Sequence, residues 1–236
     1  MGKIWAVCSG SGGVGKSTIA LSLAAGAAKE GKRVVLLDAS GISRSCDLML
    51  GMESIVVFDM VDVVSRQADM EAAVYRVPGH EGLRFACASL QDSISVAELA
   101  SAMLALHSMC DILVIDLPTG QTDLGADLLR EGDERIVITR PDDASIRAAE
   151  RIMMRGVGES VGTSLVINRI SRERVKRGYQ HSQDAVQMTL DRMAIGCIPE
   201  DAAIAAAQCR GIPAIECDGP ARTALRDLLK SLLGSG

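Results

Sequence analysis

Aromatic side chains are almost missing from this 236-residue chain, which has one tryptophan, two tyrosines and two phenylalanines. Single-stranded nucleic acid is held by stacking its bases on aromatic platforms, so no strand-binding surface is expected. A formal net charge of −5 argues against a basic face for duplex nucleic acid as well. No apolar run approaches the ~18–20 residues of a membrane span. The seven cysteines include no C-x-x-C pair and no histidine at ligand spacing. That excludes the standard zinc motifs and fits free thiols in a reducing cytoplasm. The start, Met1-Gly2-Lys3-Ile4-Trp5, lacks the layout of a secretion signal. Proline- or glycine-rich linkers, internal repeats and low-complexity tracts are also missing. What is there is globular, with 48% hydrophobic and 23% charged residues. We expect one intracellular domain over residues 1–236, long enough to bury a sizeable core.

Short apolar runs alternate with longer segments of helical spacing. Ile4–Cys8, Arg33–Asp38, Leu83–Ala88, Asp111–Asp116, Glu134–Thr139, Ser164–Asn168 and Met193–Ile198 read as buried strands. Ser17–Lys29, Ser95–His107, Ser145–Met154 and Ser182–Arg192 read as helices between them. Near-continuous apolar strands separated by helices predict a doubly wound α/β fold, a mostly parallel sheet with helices on both faces. Its ligands would bind at the carboxyl ends of the strands. Ala221, Ala224, Leu225, Leu228, Leu229, Leu232 and Leu233 predict a last amphipathic helix docked on that sheet.

One motif carries the chemistry. Gly10-Ser11-Gly12-Gly13-Val14-Gly15-Lys16-Ser17, followed by Thr18, matches G-x-x-x-x-G-K-[ST] between an apolar strand and an Ala/Leu-rich helix. Glycines let backbone N–H groups turn inward around phosphates, and the helix N-terminus adds partial positive charge. Lys16 is expected on the β- and γ-phosphates, and Ser17 on Mg²⁺. Two apolar strands end in carboxylates, at Asp38 and at Asp116, which is the layout of a metal-holding strand end. Asp116 is assigned to Mg²⁺ and Asp38 to the reacting water and metal shell. The turn Leu117-Pro118-Thr119-Gly120 can bring the Gly120 N–H near a γ-phosphate. The guanine signature N-K-x-D is absent, whereas Asn168, beside Arg169, can pair with an adenine edge through its amide. With Pro199 and Glu200 after the last strand, these residues form the expected base site, and ATP/ADP is favoured over GTP.

These residues resemble the deviant Walker A loop of the MinD/ParA ATPases. The resemblance continues through Asp38-Ala39-Ser40, Arg44, Asp47-Leu48-Met49-Leu50-Gly51, Asp116-Leu117-Pro118-Thr119-Gly120 and Ser145-Ile146-Arg147. Asn168-Arg169-Ile170, Val175-Lys176-Arg177-Gly178 and Ile198-Pro199-Glu200-Asp201 place it nearer the MinD branch than the plasmid or flagellar branches. The resemblance implies a homodimer that closes around ATP, hydrolyses it slowly and separates. It also implies a role in positioning the cell-division site, with a division inhibitor and an activator of hydrolysis as partners. A positioning ATPase for a flagellum or pilus is the neighbouring alternative.

The chain departs from the family in three places. Ser11 stands where the family carries a lysine that reaches the other subunit's phosphates, and a serine brings no charge. Ser40 replaces a second carboxylate that helps orient the attacking water. The basic amphipathic extension of the MinD branch has no counterpart after Leu233, so direct membrane attachment is not expected; recruitment to the inner membrane face would go through a partner. Ala148 also replaces an acidic residue of the partner-binding helix, although Glu150 keeps one charge there. The two serines make a nucleotide-binding scaffold without hydrolysis the second reading. The histidines, the cysteines and the basic run Arg172, Arg174, Lys176 and Arg177 are read as local or solvated groups.

Overall fold

The strands form because Val, Ile and Leu recur in runs too short for helices, and these runs are buried on both sides. In the computed structural model, which describes residues 2–40, 45–88, 96–120, 129, 133–155 and 161–234, the strands are as follows. They are β1 (Lys3–Cys8), β2 (Val34–Asp38), β3 (Tyr75–Arg76), β4 (Leu83–Cys87), β5 (Ile112–Asp116), β6 (Glu134–Thr139), β7 (Gly162–Ile170) and β8 (Ala194–Pro199). They make one sheet in the order β3-β4-β2-β5-β1-β6-β7-β8, with only the β3–β4 pair antiparallel among the described residues. Every residue of β2 and β5 is buried. Two-sided burial explains their lack of polar alternation.

The helices are α1 (Lys16–Lys29), α2 (Ser45–Met49), α3 (Met60–Val64), α4 (Val96–Ser108), α5 (Asp143–Met154), α6 (Arg172–Lys176), α7 (Gln183–Thr189), α8 (Ala202–Gln208) and α9 (Pro220–Leu233). Alternation along β1 divides the core. Trp5 and Val7 join Ile19, Leu23, Leu225 and Leu228 of α1 and α9 on one face. Ile4, Ala6 and Cys8 join Met103, Ile146 and Ile152 of α4 and α5 on the other. Burial pushes the Cys8 thiol up to about 12, consistent with a small inert core residue. Helix α9 docks through Ala221, Leu225, Leu228, Leu229 and Leu232, as its apolar stripe predicted.

Some elements differ from the sequence expectation. The helix expected over Ser182–Arg192 ends at Thr189, and the chain then turns through Asp191 at a positive φ of 45°. Strand β3 and helices α2, α3 and α6 have two to five residues, too few for a periodic signal. Among the described residues, no helix is long and apolar enough to cross a membrane.

Sheet order sets the site. Chain connections leave the β1–β5 neighbourhood in opposite directions, making the crevice there the switch point at which open α/β sheets bind ligands. Val7 pairs in register with Asp116, and Asp116 pairs with Asp38. The strand before the phosphate loop and both carboxylates therefore end at one level.

Candidate nucleotide site

The loop Ser9–Gly15 leaves β1 and opens α1. Gly15, the N-cap of α1, holds φ +91°, and no side chain caps the helix. The first-turn N–H groups are thus left to an anion. A Cβ at Gly15 would meet the Asn168 amide nitrogen, and one at Gly10 would meet the Ala148 carbonyl oxygen. Space beside Gly12 and Gly13 is open. Glycine is required where the loop presses on the protein and leaves room where a phosphate would approach.

Lys16 and Asp116 form a buried ion pair, Nζ to Oδ1 at 2.5 Å, exposed by only 7% and 0%. Burial pushes the Asp116 carboxyl up; the Lys16 charge pulls against this, the nearby Asp38 adds to it, and the Ser17 hydroxyl helps Lys16. Asp38 is held from both sides. Its Oδ1 accepts from the Ser40 N–H at 3.0 Å and the Ser40 hydroxyl at 2.5 Å. Its Oδ2 accepts from the Cys46 N–H at 2.9 Å. Ser40 thus fastens Asp38 with its proton, where a carboxylate at position 40 would repel it.

Asn168, Arg169, Pro199 and Glu200, far apart in sequence, line one cavity of about 360 Å³ together with Gly15, Thr18 and Gln208. The structure brings the expected base residues together beside the loop. Asn168 also has a task that was not expected: its Nδ2 donates to the Val14 carbonyl at 2.7 Å, tying β7 to the loop. Arg169 holds a positive φ of 57°, and its carbonyl accepts from Gln180 Nε2 at 3.0 Å. Arg174 of the basic run reaches Glu200 at 3.3 Å on the pocket rim, and Arg177 pairs with Glu173 at 2.6 Å.

Replacing Asn168 by Ala leaves the buried Val14 carbonyl without its donor, at a cost of ~1–3 kcal/mol. The melting temperature should fall by several degrees, measured by calorimetry without nucleotide.

Gly120 lies beside the loop, but its N–H donates to the Ser9 carbonyl at 2.9 Å. It can serve a phosphate only by exchanging that bond. Arg44 lies outside the described residues. Two contacts had no signal in the sequence. The Cys46 thiol donates to Asp116 Oδ2 at 3.8 Å. Gln208 Nε2 donates to Thr18 Oγ1 at 2.7 Å, joining α8 to the phosphate-loop helix. Both depend on packing between elements distant in sequence.

A family model for ParA, described as NUBPL iron-transfer P-loop NTPase, matches residues 1–232. The chain belongs to the ParA/MinD family of P-loop NTPases. The septum site-determining protein MinD of Helicobacter pylori is 31% identical over 99% of this chain and 91% of its own. MinD of Escherichia coli K12 is 31% identical over 99% and 92%. The MinC:MinD cell division protein complex of Aquifex aeolicus contains a chain of the same fold, with TM-score 0.89, 28% identity, and coverage of 99% and 96%.

Proposed function

We propose that this chain is a MinD-like ATPase that binds Mg·ATP, dimerises around it and hydrolyses it slowly, in the placement of the division site. One observation carries this reading: Lys16, Asp116 and Asp38 converge, buried, directly beside an uncapped helix N-terminus. A lysine held there by a carboxylate is positioned to transfer to an arriving phosphate. The oxygen donors of Ser17, Asp116 and Asp38 suit Mg²⁺, a hard cation. When bound, it would neutralise phosphate charge.

The chain's own residues divide the work. Loop N–H groups and Lys16 bind and orient the phosphates, and Ser17 with Asp116 holds the metal side. Asp38, clamped by Ser40 and Cys46, keeps a carboxylate fixed at the water position. Asn168, Arg169, Pro199 and Glu200 receive the adenine. A division inhibitor, as in the MinC:MinD assembly of Aquifex aeolicus, is the partner class this reading implies. Iron transfer, named in the family model's description, has less support, because the chain has no C-x-x-C pair.

The test is phosphate release from Mg·ATP across a range of protein concentrations. A rate rising faster than linearly supports a dimeric ATPase; bound ATP with no release moves the reading to a scaffold. Ser11 brings no charge to the phosphates, so Ser11→Lys should raise turnover about tenfold, measured at concentrations where the rate is already cooperative.

A further inference from the structure

Helix α8 forms a wall of the cavity beside the phosphate loop and contributes Ala202, Ile204, Ala205 and Gln208 to its lining. Ala202, Ala205 and Gln208 follow one another at intervals of three and share a face of the helix. Gln208 is the one polar side chain among the four, and it is half-buried. Its amide is held at the nitrogen end. Nε2 donates to Thr18 Oγ1 at 2.7 Å and to the Met49 sulfur at 2.9 Å, which uses both of its hydrogens. Its Oε1 accepts no hydrogen bond among the described residues. The neighbouring carboxylates are engaged. Asp201 accepts from the Ala203 N–H at 2.9 Å on one oxygen and from the Ala221 N–H at 3.2 Å on the other. Glu200 pairs with Arg174 at 3.3 Å.

We propose that Gln208 reads the sugar of the nucleotide, its Oε1 accepting a hydrogen bond from a ribose hydroxyl. The assignment rests on the nucleotide-binding role proposed for this cavity. In a phosphate loop the lysine serves the β- and γ-phosphates, while backbone N–H groups cradle the α- and β-phosphates. The sugar joins the α-phosphate to the base, so it must pass between the start of α1 and the residues at the ends of β7 and β8. Thr18 lies in the first turn of α1, and its hydroxyl fixes the Gln208 amide on that path. An amide oxygen accepts from a hydroxyl without bringing negative charge toward the phosphates, as a carboxylate would. A site that bonds a hydroxyl discriminates against the analogue lacking it, because its own acceptor is then left unpaired. Since Gln208 is half-buried and neutral, that discrimination is the worth of one ordinary hydrogen bond, about 3–10-fold.

Mg·ADP and its 2′-deoxy and 3′-deoxy forms are titrated into the full chain by calorimetry, diphosphates being chosen to avoid turnover. The wild type should bind ADP about 3–10-fold more tightly than at least one deoxy form. In Gln208→Leu, checked for native circular dichroism, ADP should weaken to the level of that deoxy form, and the ratio should fall to about one. Gln208→Glu keeps an acceptor, so it should keep the ribose preference while its charge weakens all three nucleotides. A residue that only tied α8 to α1 would lower all three affinities alike in Gln208→Leu and leave the ratio unmoved. That result, or equal binding of all three nucleotides by the wild type, would overturn the proposal. Tight ADP binding without a ribose preference sinks the role of Gln208 alone, whereas a wild type that binds no adenine nucleotide sinks the nucleotide reading with it.

Discussion

Lys16→Ala should reduce Mg·ATP hydrolysis by ~10²–10³ or more, because it removes a cation placed to stabilise the phosphates. The same change acts on the fold. Asp116 is buried and loses its partner at 2.5 Å, leaving it beside Asp38 in the paired strand. An unpaired buried carboxylate answers by keeping its proton. The sign follows from linkage. Burial already raises the Asp116 value above that of the unfolded chain, and removing the Lys16 charge raises it further. A raised carboxyl binds more protons folded than unfolded, so stability is retained below the unfolded value of ~3.9 and lost as pH rises through the folded one. Unfolding of the variant and wild type should therefore differ little in acid and most at neutral and higher pH. Denaturant midpoints at several pH values check this, and phosphate release checks the catalytic part. An equal stability difference at every pH would mean that the ion pair contributes no net electrostatic stabilisation.

Gly15→Ala should nearly abolish nucleotide binding, by ~100-fold or more, with the protein still folded. Two costs coincide at one atom. The φ of +91° is a conformation an L-residue adopts at ~1–3 kcal/mol. The new methyl would also land on the Asn168 amide, the group that donates to Val14 and lines the cavity beside the loop. Relief requires turning the loop or pushing Asn168 aside, and either change opens the cradle. Binding of a fluorescent ATP analogue reads the first effect. A melting temperature lowered by ~2–10 °C reads the second. Asn168→Ala with Gly15→Ala should cost less stability than the sum of the two single changes, because the collision is gone while the backbone strain and the lost Val14 bond remain.

Much of this protein was legible in local pattern. A phosphate loop is contiguous, so the roles expected of its glycines, Lys16 and Ser17 could be read from spacing alone. Strands β2 and β5 announced themselves as apolar runs ending in Asp38 and Asp116, and α9 through its stripe of leucines. Base residues could be nominated because Asn168 and Pro199 each lie toward the carboxyl end of a strand, at the ligand edge of a parallel sheet. The two-residue β3 and the five-residue helices lay below what periodicity can reveal.

Only the tertiary structure decided which of these groups touch. Sheet order places β5 between β2 and β1, and register then brings Asp38 level with Asp116. Packing of α2 over those strand ends turned Cys46, one cysteine among seven, into a neighbour of both carboxylates. The same long-range packing spent the Gly120 N–H on Ser9 and the Asn168 amide on Val14. Local spacing governs which backbone shape a segment adopts, because steric and hydrogen-bond constraints act within a few residues. Which polar atoms meet is settled by pairings across the whole sheet, where one step of register redirects every side chain.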